Sequence, residues 1–338
     1  MGIVVDSSFK PAGWLKNPHL QTLWPTFFRH TPLPPHRWEV VNTPDGDVLE
    51  LEFCGSHGPL VIILHGLTGS YRSQYVRGIQ WALLDQGWRS MVLNFRGCGR
   101  TMNVTSRCYH SGETGDLNFV FRWLRQREPT IPIAAVGYSL GGNVLLKWLG
   151  EQGNRIDLFA ACAVSVPLQL AKCASRMDQG LSRIYRDRLL SELSQYMNAK
   201  IDHLNHLGKK AEALRLKALG DVGRLRSFWE YDDRVIASLY PFQDVHDYYQ
   251  RCSARAFVDK IEVPTLIVQA RDDPFMTPEV IPAATETSSC VTLEISETGG
   301  HVGFVESGNH PFSPGYWLDR RIPEFLGQSL ETHPTQGN

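Results

Sequence analysis

The segment Ile133-Ala-Ala-Val-Gly137-Tyr-Ser139-Leu-Gly141-Gly-Asn-Val-Leu-Leu-Lys-Trp-Leu149 joins a short apolar run to a helical pattern through a glycine-flanked serine. A G-x-S-x-G motif in this setting predicts a nucleophile elbow, the tight strand-to-helix turn that pushes a serine hydroxyl outward. Glycines two positions to either side leave room for the strained backbone that the turn imposes on Ser139. The helix that follows directs backbone N–H groups toward the serine, where they favour developing negative charge.

Short, nearly continuous apolar runs around this motif indicate parallel strands that are buried on both faces. They are Leu60 to Leu64, Ser90 to Phe95, Ile133 to Val136, Phe159 to Val166 and Thr265 to Gln269, with a more alternating run at Val291 to Ile295. Helical patterns lie between or after them, at Tyr75 to Gln86, Asp116 to Gln126, Leu140 to Glu151, Tyr248 to Val258 and Arg320 to Leu330. This alternation is typical of a doubly wound α/β sheet.

Two parts of the chain fall outside this alternation. From Trp38 to Cys54, polar and apolar residues alternate across an Asp45-Gly46 turn, which predicts an antiparallel hairpin at a sheet edge. Between Leu168 and Asp244 apolar residues recur at helical spacing, so we expect a helical insertion that covers the C-terminal edge of the sheet. The predicted organisation is an N-terminal segment (1–37), an α/β core (38–167 and 245–331), a helical cap (168–244) and a flexible tail (332–338).

A serine is a weak nucleophile without a base, so the motif requires a carboxylate and a histidine later in the chain. His301 follows the last predicted strand, and the glycines around it allow its loop to reach the serine. Asp272 and Asp273 follow the strand that ends at Gln269, and either could orient the imidazole. Asp273 is preferred because a turn and a hydrophobic residue come after it, while Asp272 stays open. Both loops lie past the carboxyl ends of strands, where open α/β sheets bind ligands.

The loop His65-Gly66-Leu67-Thr68-Gly69-Ser70 follows a buried strand and is expected to contribute to an oxyanion hole. In this hypothesis the N–H groups of Leu67 and Leu140 hold the tetrahedral oxyanion. His65 orients the loop, and His65 and Gly66 adjoin the bound substrate. The alternative is a plain strand-to-helix turn without a catalytic role.

Composition argues against several other classes of protein. The 338 residues carry a formal net charge of −1 and scattered basic residues, so no nucleic-acid partner is predicted. Apolar stretches fall short of the roughly 18 residues of a membrane span, and no signal-peptide pattern is visible, so a cytoplasmic protein is expected. Seven cysteines without paired spacing favour reduced thiols. No metal-binding, Walker or complete dinucleotide motif is present, so neither a metal nor another cofactor is predicted.

Beyond the serine motif, longer motifs resemble those of the YheT-like branch of the α/β-hydrolases, and the likeness covers nearly the whole chain. They are Asn17 to Thr22, His65 to Ser70, Asn94 to Gly99, Tyr109 to Thr114, Asp247 to Tyr249, Ala270 to Phe275 and Gly299 to Phe304. The resemblance implies an α/β-hydrolase fold, with a mostly parallel central sheet and helices on both faces. It also implies a triad of Ser139, Asp273 and His301.

The chain departs from this resemblance at Gly99, where relatives usually carry serine, and the triad is unaffected. Four polar residues inside the family motifs could shape a pocket or support the fold, and we favour support. They are His19, Arg96, His110 and Glu113.

Members of the branch include bacterial esterases and eukaryotic abhydrolase-domain proteins that act on short- to medium-chain acyl esters. Some yeast relatives transfer acyl groups to alcohols. The resemblance therefore implies a serine hydrolase of lipid metabolism that cleaves small-molecule carboxylic esters through an acyl-enzyme. An acyltransferase with the same triad and a non-catalytic binding protein of the hydrolase fold stay open, and the sequence specifies neither the acyl length, the alcohol portion nor the oligomeric state.

Overall fold

The computed structural model describes residues 1–310 and 313–333. Nine strands form its central sheet: β1 (Ile3–Asp6), β2 (His36–Asn42), β3 (Val48–Cys54), β4 (Leu60–Leu64), β5 (Arg89–Asn94), β6 (Ile133–Tyr138), β7 (Ala160–Val164), β8 (Thr265–Ala270) and β9 (Val291–Ser296). Their order is β1-β9-β8-β7-β6-β4-β5-β3-β2. The pairs β2–β3 and β3–β5 are antiparallel, and the other pairs are parallel. The predicted mostly parallel sheet is confirmed.

Ten α-helices accompany the sheet. They are α1 (Pro18–Phe28), α2 (Gln74–Asp85), α3 (Gly115–Arg127), α4 (Leu140–Gln152), α5 (Leu170–Met177), α6 (Ser182–His206), α7 (Lys210–Lys217), α8 (Phe228–Tyr231), α9 (Val245–Cys252) and α10 (Trp317–Thr332) in the described residues. A two-stranded hairpin, β10 (Val305–His310) with β11 (Ser313–Tyr316), precedes α10.

The apolar runs form the sheet because helices cover both of its faces. Along β4, Ile62 and Leu64 point into one core, which α3 and α4 complete. Val61 and Ile63 point into the other core, which α2 and α10 complete. This two-sided burial explains why the strands are continuously apolar.

The predicted hairpin is β2 with β3, and β2 lies at the edge of the sheet. The opposite edge is β1, which pairs parallel with β9 and is not among the strands predicted from the sequence. Residues 1–37, predicted only as a packing segment, thus contain both a strand and the helix α1.

The helix predicted over 248–258 has different bounds in the structure. It begins at Val245, after Asp244 caps it, and ends at Cys252. The amide of Asn143, on α4, binds the backbone at this end of the helix: its Nδ2 donates to the Cys252 carbonyl at 2.8 Å, and its Oδ1 accepts the Ala254 N–H at 2.9 Å. Two short 3₁₀ turns follow in place of a continued helix.

The interval 168–244 is helical in the structure, from α5 to α8, and is followed by α9. These helices share an apolar core of their own, with Leu193, Leu216 and Ile236 among its buried residues. The assignment of the interval as a separate cap stays a prediction. The predicted tail overlaps the end of α10, and its residues 334–338 lie outside the described residues.

Candidate active site

Ser139 occupies the turn between β6 and α4, with backbone angles φ 51° and ψ −119°. A positive φ is uncommon for a residue with a side chain and costs about 1–3 kcal/mol. Two glycines make the turn possible. A Cβ at Gly137 would lie 2.6 Å from the Gly141 carbonyl oxygen, and a Cβ at Gly141 would lie 2.5 Å from the carbonyl oxygens of Leu64 and His65. The elbow therefore requires both glycines.

The imidazole of His301 bridges Ser139 and Asp273. Its Nε2 lies 2.9 Å from Ser139 Oγ, and its Nδ1 lies 2.8 Å from Asp273 Oδ2. The Asp273 side chain is fully buried, and its Oδ1 accepts the Phe275 N–H at 2.8 Å. With its proton on Nδ1, facing the carboxylate, the imidazole has Nε2 free to accept the serine proton.

The two candidate carboxylates have different partners. Asp273 contacts the imidazole, whereas Asp272 Oδ1 accepts the N–H of Gly300 at 3.0 Å. Asp272 Oδ2 is buried without a hydrogen-bond partner among the described residues, and burial raises the pKa of this carboxyl. Asp272 thus supports the backbone of the histidine loop, while Asp273 is placed to orient the ring.

Three residues that were not predicted as site residues hold His301 and its loop in place. Thr22, on α1, accepts the His301 N–H through Oγ1 at 2.9 Å. Ser165, after β7, accepts the Val302 N–H at 3.0 Å. The Phe275 ring stacks on the imidazole, with 4.0 Å between the ring centroids. Thr22 and Phe275 lie within motifs that the chain shares with the YheT-like branch. Their place in these motifs is the sequence signal that could have identified them as site residues.

The loop after β4 lies beside the elbow and is fixed by three hydroxyl groups. The Gly66 N–H donates to Tyr75 Oη at 2.9 Å, and the Thr68 N–H donates to Tyr109 Oη at 3.0 Å. Thr68 itself has a φ of 55°, and its Oγ1 donates to Glu192 Oε2 on α6 at 2.6 Å. A side chain from the helical insertion therefore helps to set the conformation of this loop.

The predicted oxyanion donors, Leu67 and Leu140, both line the cavity that contains Ser139. Leu140 is the first residue of α4, so its N–H has no acceptor within the helix. Neither N–H donates to a backbone carbonyl of the described residues. Both donors are oriented by a fixed loop or helix end, and their binding of an oxyanion stays a prediction.

The expectation that His65 adjoins the substrate is corrected by the structure. Its ring has 0% exposed surface and is not part of the cavity wall. Nδ1 donates to the Gly66 carbonyl at 2.8 Å, and Nε2 accepts the Phe95 N–H at 3.1 Å. Burial lowers the pKa of His65 to about 4, so the ring is neutral at pH 7. A neutral ring is what these contacts need, because one nitrogen donates a hydrogen bond and the other accepts one. His65 holds the loop. Gly66 is not part of the cavity wall either, and it lies against Ser139, where a Cβ would approach the serine Cβ to 3.3 Å.

A cavity extends from Ser139 and His301 to the helices of the 168–249 interval. Its walls are mainly apolar and aromatic, with Leu170, Met177, Leu189, Leu193, Phe228 and Ile236 on the helical side. Cavities with such walls and a few convergent polar groups are typical of small-molecule sites.

One carboxylate, Asp232, also lines this cavity, and no motif in the sequence marks it. It begins a π-helical turn, Asp232–Ala237, which directly follows α8. Such turns are frequent at functional sites. Tyr249 donates its hydroxyl to Asp232 Oδ2 at 2.7 Å. Burial raises the pKa of Asp232 to about 7, so this group changes charge near neutral pH.

The four polar residues of the family motifs divide between the fold and the cavity. Arg96 is buried and binds both carboxylate oxygens of Asp116, at 2.8 and 2.6 Å. Glu113 is also buried and pairs with an arginine. His110 lines the cavity, and burial lowers its pKa to about 3. His19 contacts α6. Support is therefore the role of Arg96 and Glu113, whereas His110 shapes the cavity.

In the described part of the chain, no helix combines the length and apolar character needed to cross a bilayer. The same residues contain no cluster of three or more histidine, cysteine or acidic side chains arranged to hold a metal ion.

Residues 59–308 match the family model described as the alpha/beta hydrolase fold. The chain belongs to the α/β-hydrolase family. It is 38% identical to the Escherichia coli (strain K12) protein named "Putative esterase YheT", over 96% of this chain and 95% of that protein. The predicted relationship to the YheT-like branch of the α/β-hydrolases is confirmed.

Two further comparisons agree with this family. The chain is 27% identical to human "Phospholipase ABHD3", over 97% of its own length and 80% of that protein. The crystal structure of the Pyrococcus furiosus esterase Pf2001 superposes with a TM-score of 0.55 at 16% identity, over 97% of this chain and 99% of that one. At this identity the structural likeness establishes the α/β-hydrolase fold alone.

Proposed function

We propose that this α/β-hydrolase is a serine esterase that cleaves carboxylic esters with short to medium apolar acyl chains. The observation that carries the proposal is the chain of contacts from Ser139 through His301 to Asp273, at 2.9 and 2.8 Å, with Ser139 and His301 lining an apolar cavity. The names of the relatives, an esterase and a phospholipase, support ester chemistry. We further propose that residues 168–244 act as a cap that encloses the acyl chain.

In the proposed reaction, His301 accepts the Ser139 proton while the serine oxygen attacks the ester carbonyl. Asp273 holds the ring in the required tautomer and stabilises the imidazolium. The N–H groups of Leu67 and Leu140 donate to the oxyanion. His301 then protonates the departing alcohol, which leaves an acyl-enzyme. Water, deprotonated by the same imidazole, attacks this intermediate. His301 then returns the proton to Ser139 Oγ as the C–O bond to the serine breaks, and the acid is released.

This proposal predicts a dependence on acyl length for p-nitrophenyl esters. Because each methylene that enters the apolar cavity contributes up to about 0.8 kcal/mol, kcat/KM is expected to rise by about tenfold from acetate to butyrate. Release of p-nitrophenol by the purified chain measures it. Added ethanol distinguishes acyl transfer, since ethyl ester then forms in place of acid. Absence of turnover together with absence of labelling by a fluorophosphonate would favour a binding protein.

A second prediction concerns the charge of Asp232, which lines the same cavity. Because its pKa is raised to about 7, the carboxyl is mainly neutral near pH 6 and mainly ionised near pH 8. An ionised carboxylate disfavours contact with an alkyl chain. We therefore expect octanol to be a competitive inhibitor whose inhibition constant is about fivefold higher at pH 8 than at pH 6. In Asp232→Asn this difference between the two pH values is expected to disappear. The inhibition constant is measured at both pH values.

Asp233→Asn is the matched control, because its side chain is exposed and lies outside the cavity. It is expected to keep the pH dependence of the wild type. A pH dependence that persists in Asp232→Asn would assign the effect to another group.

A further inference from the structure

The surface formed by α1, the residues before it and the start of α6 is unusually apolar. Twelve large apolar side chains are exposed among the described residues, and six of them lie in these segments, with exposed fractions of 45% to 67%. They are Trp14, Leu20, Phe27, Phe28, Leu181 and Ile184, and we call them the apolar face. Such a concentration of exposed apolar groups is typical of an interaction surface.

The helix α1 is fixed with its apolar side outward. Leu20 and Phe27, seven residues apart, share one side of the helix and are 50% and 56% exposed. On the inner side, Gln21 is fully buried and donates to the Val305 carbonyl at 3.0 Å. Trp24 is partly buried beside this inner side and packs on Trp14 and Phe28, with ring centroids 4.4 Å apart in both pairs. Burial of Gln21 therefore fixes the rotation of α1 about its axis, which leaves Leu20 and Phe27 exposed.

The apolar face adjoins the candidate active site. His19, next to Leu20, has its Nδ1 3.0 Å from the hydroxyl oxygen of Tyr185, next to Ile184, so α1 and α6 meet there. The Tyr185 ring packs on Phe275, 5.0 Å between centroids, and Phe275 stacks on His301. A surface that covered this face would lie beside the residues proposed to react.

Cationic side chains accompany the apolar face. Lys16, Arg176 and Arg183 have no carboxylate within ion-pair distance among the described residues. Arg176 is close enough to His19 to contribute to lowering its pKa, after the larger effect of burial. Asp178 and Asp187, the neighbouring carboxylates, both pair with Arg186. Four cations, Arg186 included, thus face two carboxylates, which leaves these residues with a net charge of +2.

We propose that the apolar face docks this protein on an anionic lipid surface, which presents lipid esters to the cavity beside it. Aromatic and aliphatic side chains flanked by lysine and arginine are the combination that lies in the interface of a bilayer without crossing it. Unpaired cations at the rim favour anionic lipid headgroups. Docking does not require the reaction of Ser139, so it can be tested apart from the proposed function.

The test is sedimentation of the full chain with vesicles of phosphatidylcholine and phosphatidylglycerol, and with vesicles of phosphatidylcholine alone. Binding is expected to the anionic vesicles, and to weaken at high salt because exposed charges are screened. The double variant Phe27→Ser with Ile184→Ser removes one exposed group from each segment, and its partition is expected to fall at least about tenfold. Ser139→Ala is expected to bind as the wild type does.

The control is Leu214→Ser, a side chain that is 63% exposed on α7. This helix follows the C-terminal end of α6, and that end lies roughly 30 Å along the helix from Ile184. It is expected to bind vesicles normally, and all these variants except Ser139→Ala are expected to keep the turnover of soluble esters. Three results would each overturn the proposal: no binding by the wild type, an equal loss in Leu214→Ser, or a dimer in light scattering that Phe27→Ser with Ile184→Ser dissociates.

Discussion

Ser139→Ala is expected to lower the turnover of p-nitrophenyl butyrate by roughly 10⁴- to 10⁶-fold, with little change in KM. The hydroxyl is the group that forms the proposed acyl-enzyme, and its oxygen lies 2.9 Å from the base. The methyl group that replaces it cannot attack a carbonyl. The residual rate should come from the proposed oxyanion donors and from substrate binding alone. Initial rates of matched wild-type and variant preparations measure the effect.

The matched control is Ser191→Ala, an exposed serine on α6. It should keep wild-type turnover, and a fluorophosphonate should label it as it labels the wild type. The circular dichroism spectrum of Ser139→Ala should match that of the wild type. The tight turn depends on the absence of side chains at Gly137 and Gly141, and not on the serine hydroxyl. A folded Ser139→Ala protein that retained wild-type turnover would exclude Ser139 as the nucleophile.

The sheet was predictable where burial on two faces makes a strand continuously apolar, and less so elsewhere. β1 escaped prediction because Ile3 and Val4 are about half exposed, so its stability comes from pairing with β9. α1 escaped because it contains Pro18 and Pro25. Pro18 occupies the first turn, where no N–H is needed. The side chain of Asn17 caps the helix by accepting two backbone N–H groups.

The candidate site was predictable where a local motif surrounds the residue. Ser139 and His301 are each marked by glycines in sequence, because their loops need unusual backbone angles. Thr22 and Glu192 reach the site through contacts that span 279 and 124 residues. Nothing in the local pattern of either residue indicates which loop it will meet, because that depends on how α1 and α6 pack on the core.

The choice between Asp272 and Asp273 depends on the direction of a side chain, which adjacent positions in a sequence do not reveal. Asp273→Asn is expected to lower kcat for p-nitrophenyl butyrate by about 10⁴-fold. In the structure, Asp273 Oδ1 accepts the N–H of Phe275, so an asparagine must keep its carbonyl oxygen on that side. Its NH₂ group then faces His301 Nδ1, which has to accept a hydrogen bond. The imidazole proton moves to Nε2, and the base that faces Ser139 is lost.

Asp272→Asn is the matched variant, with the same change of atoms one position away. Its carbonyl oxygen can still accept the Gly300 N–H, and the exchange removes a carboxyl whose pKa is raised by burial. The variant should therefore stay within about tenfold of the wild-type kcat, since the contact of Asp273 with His301 is untouched. The reverse order of effects, a severe loss in Asp272→Asn with a mild one in Asp273→Asn, would mean that the histidine loop rearranges during turnover and exchanges its carboxylate partner.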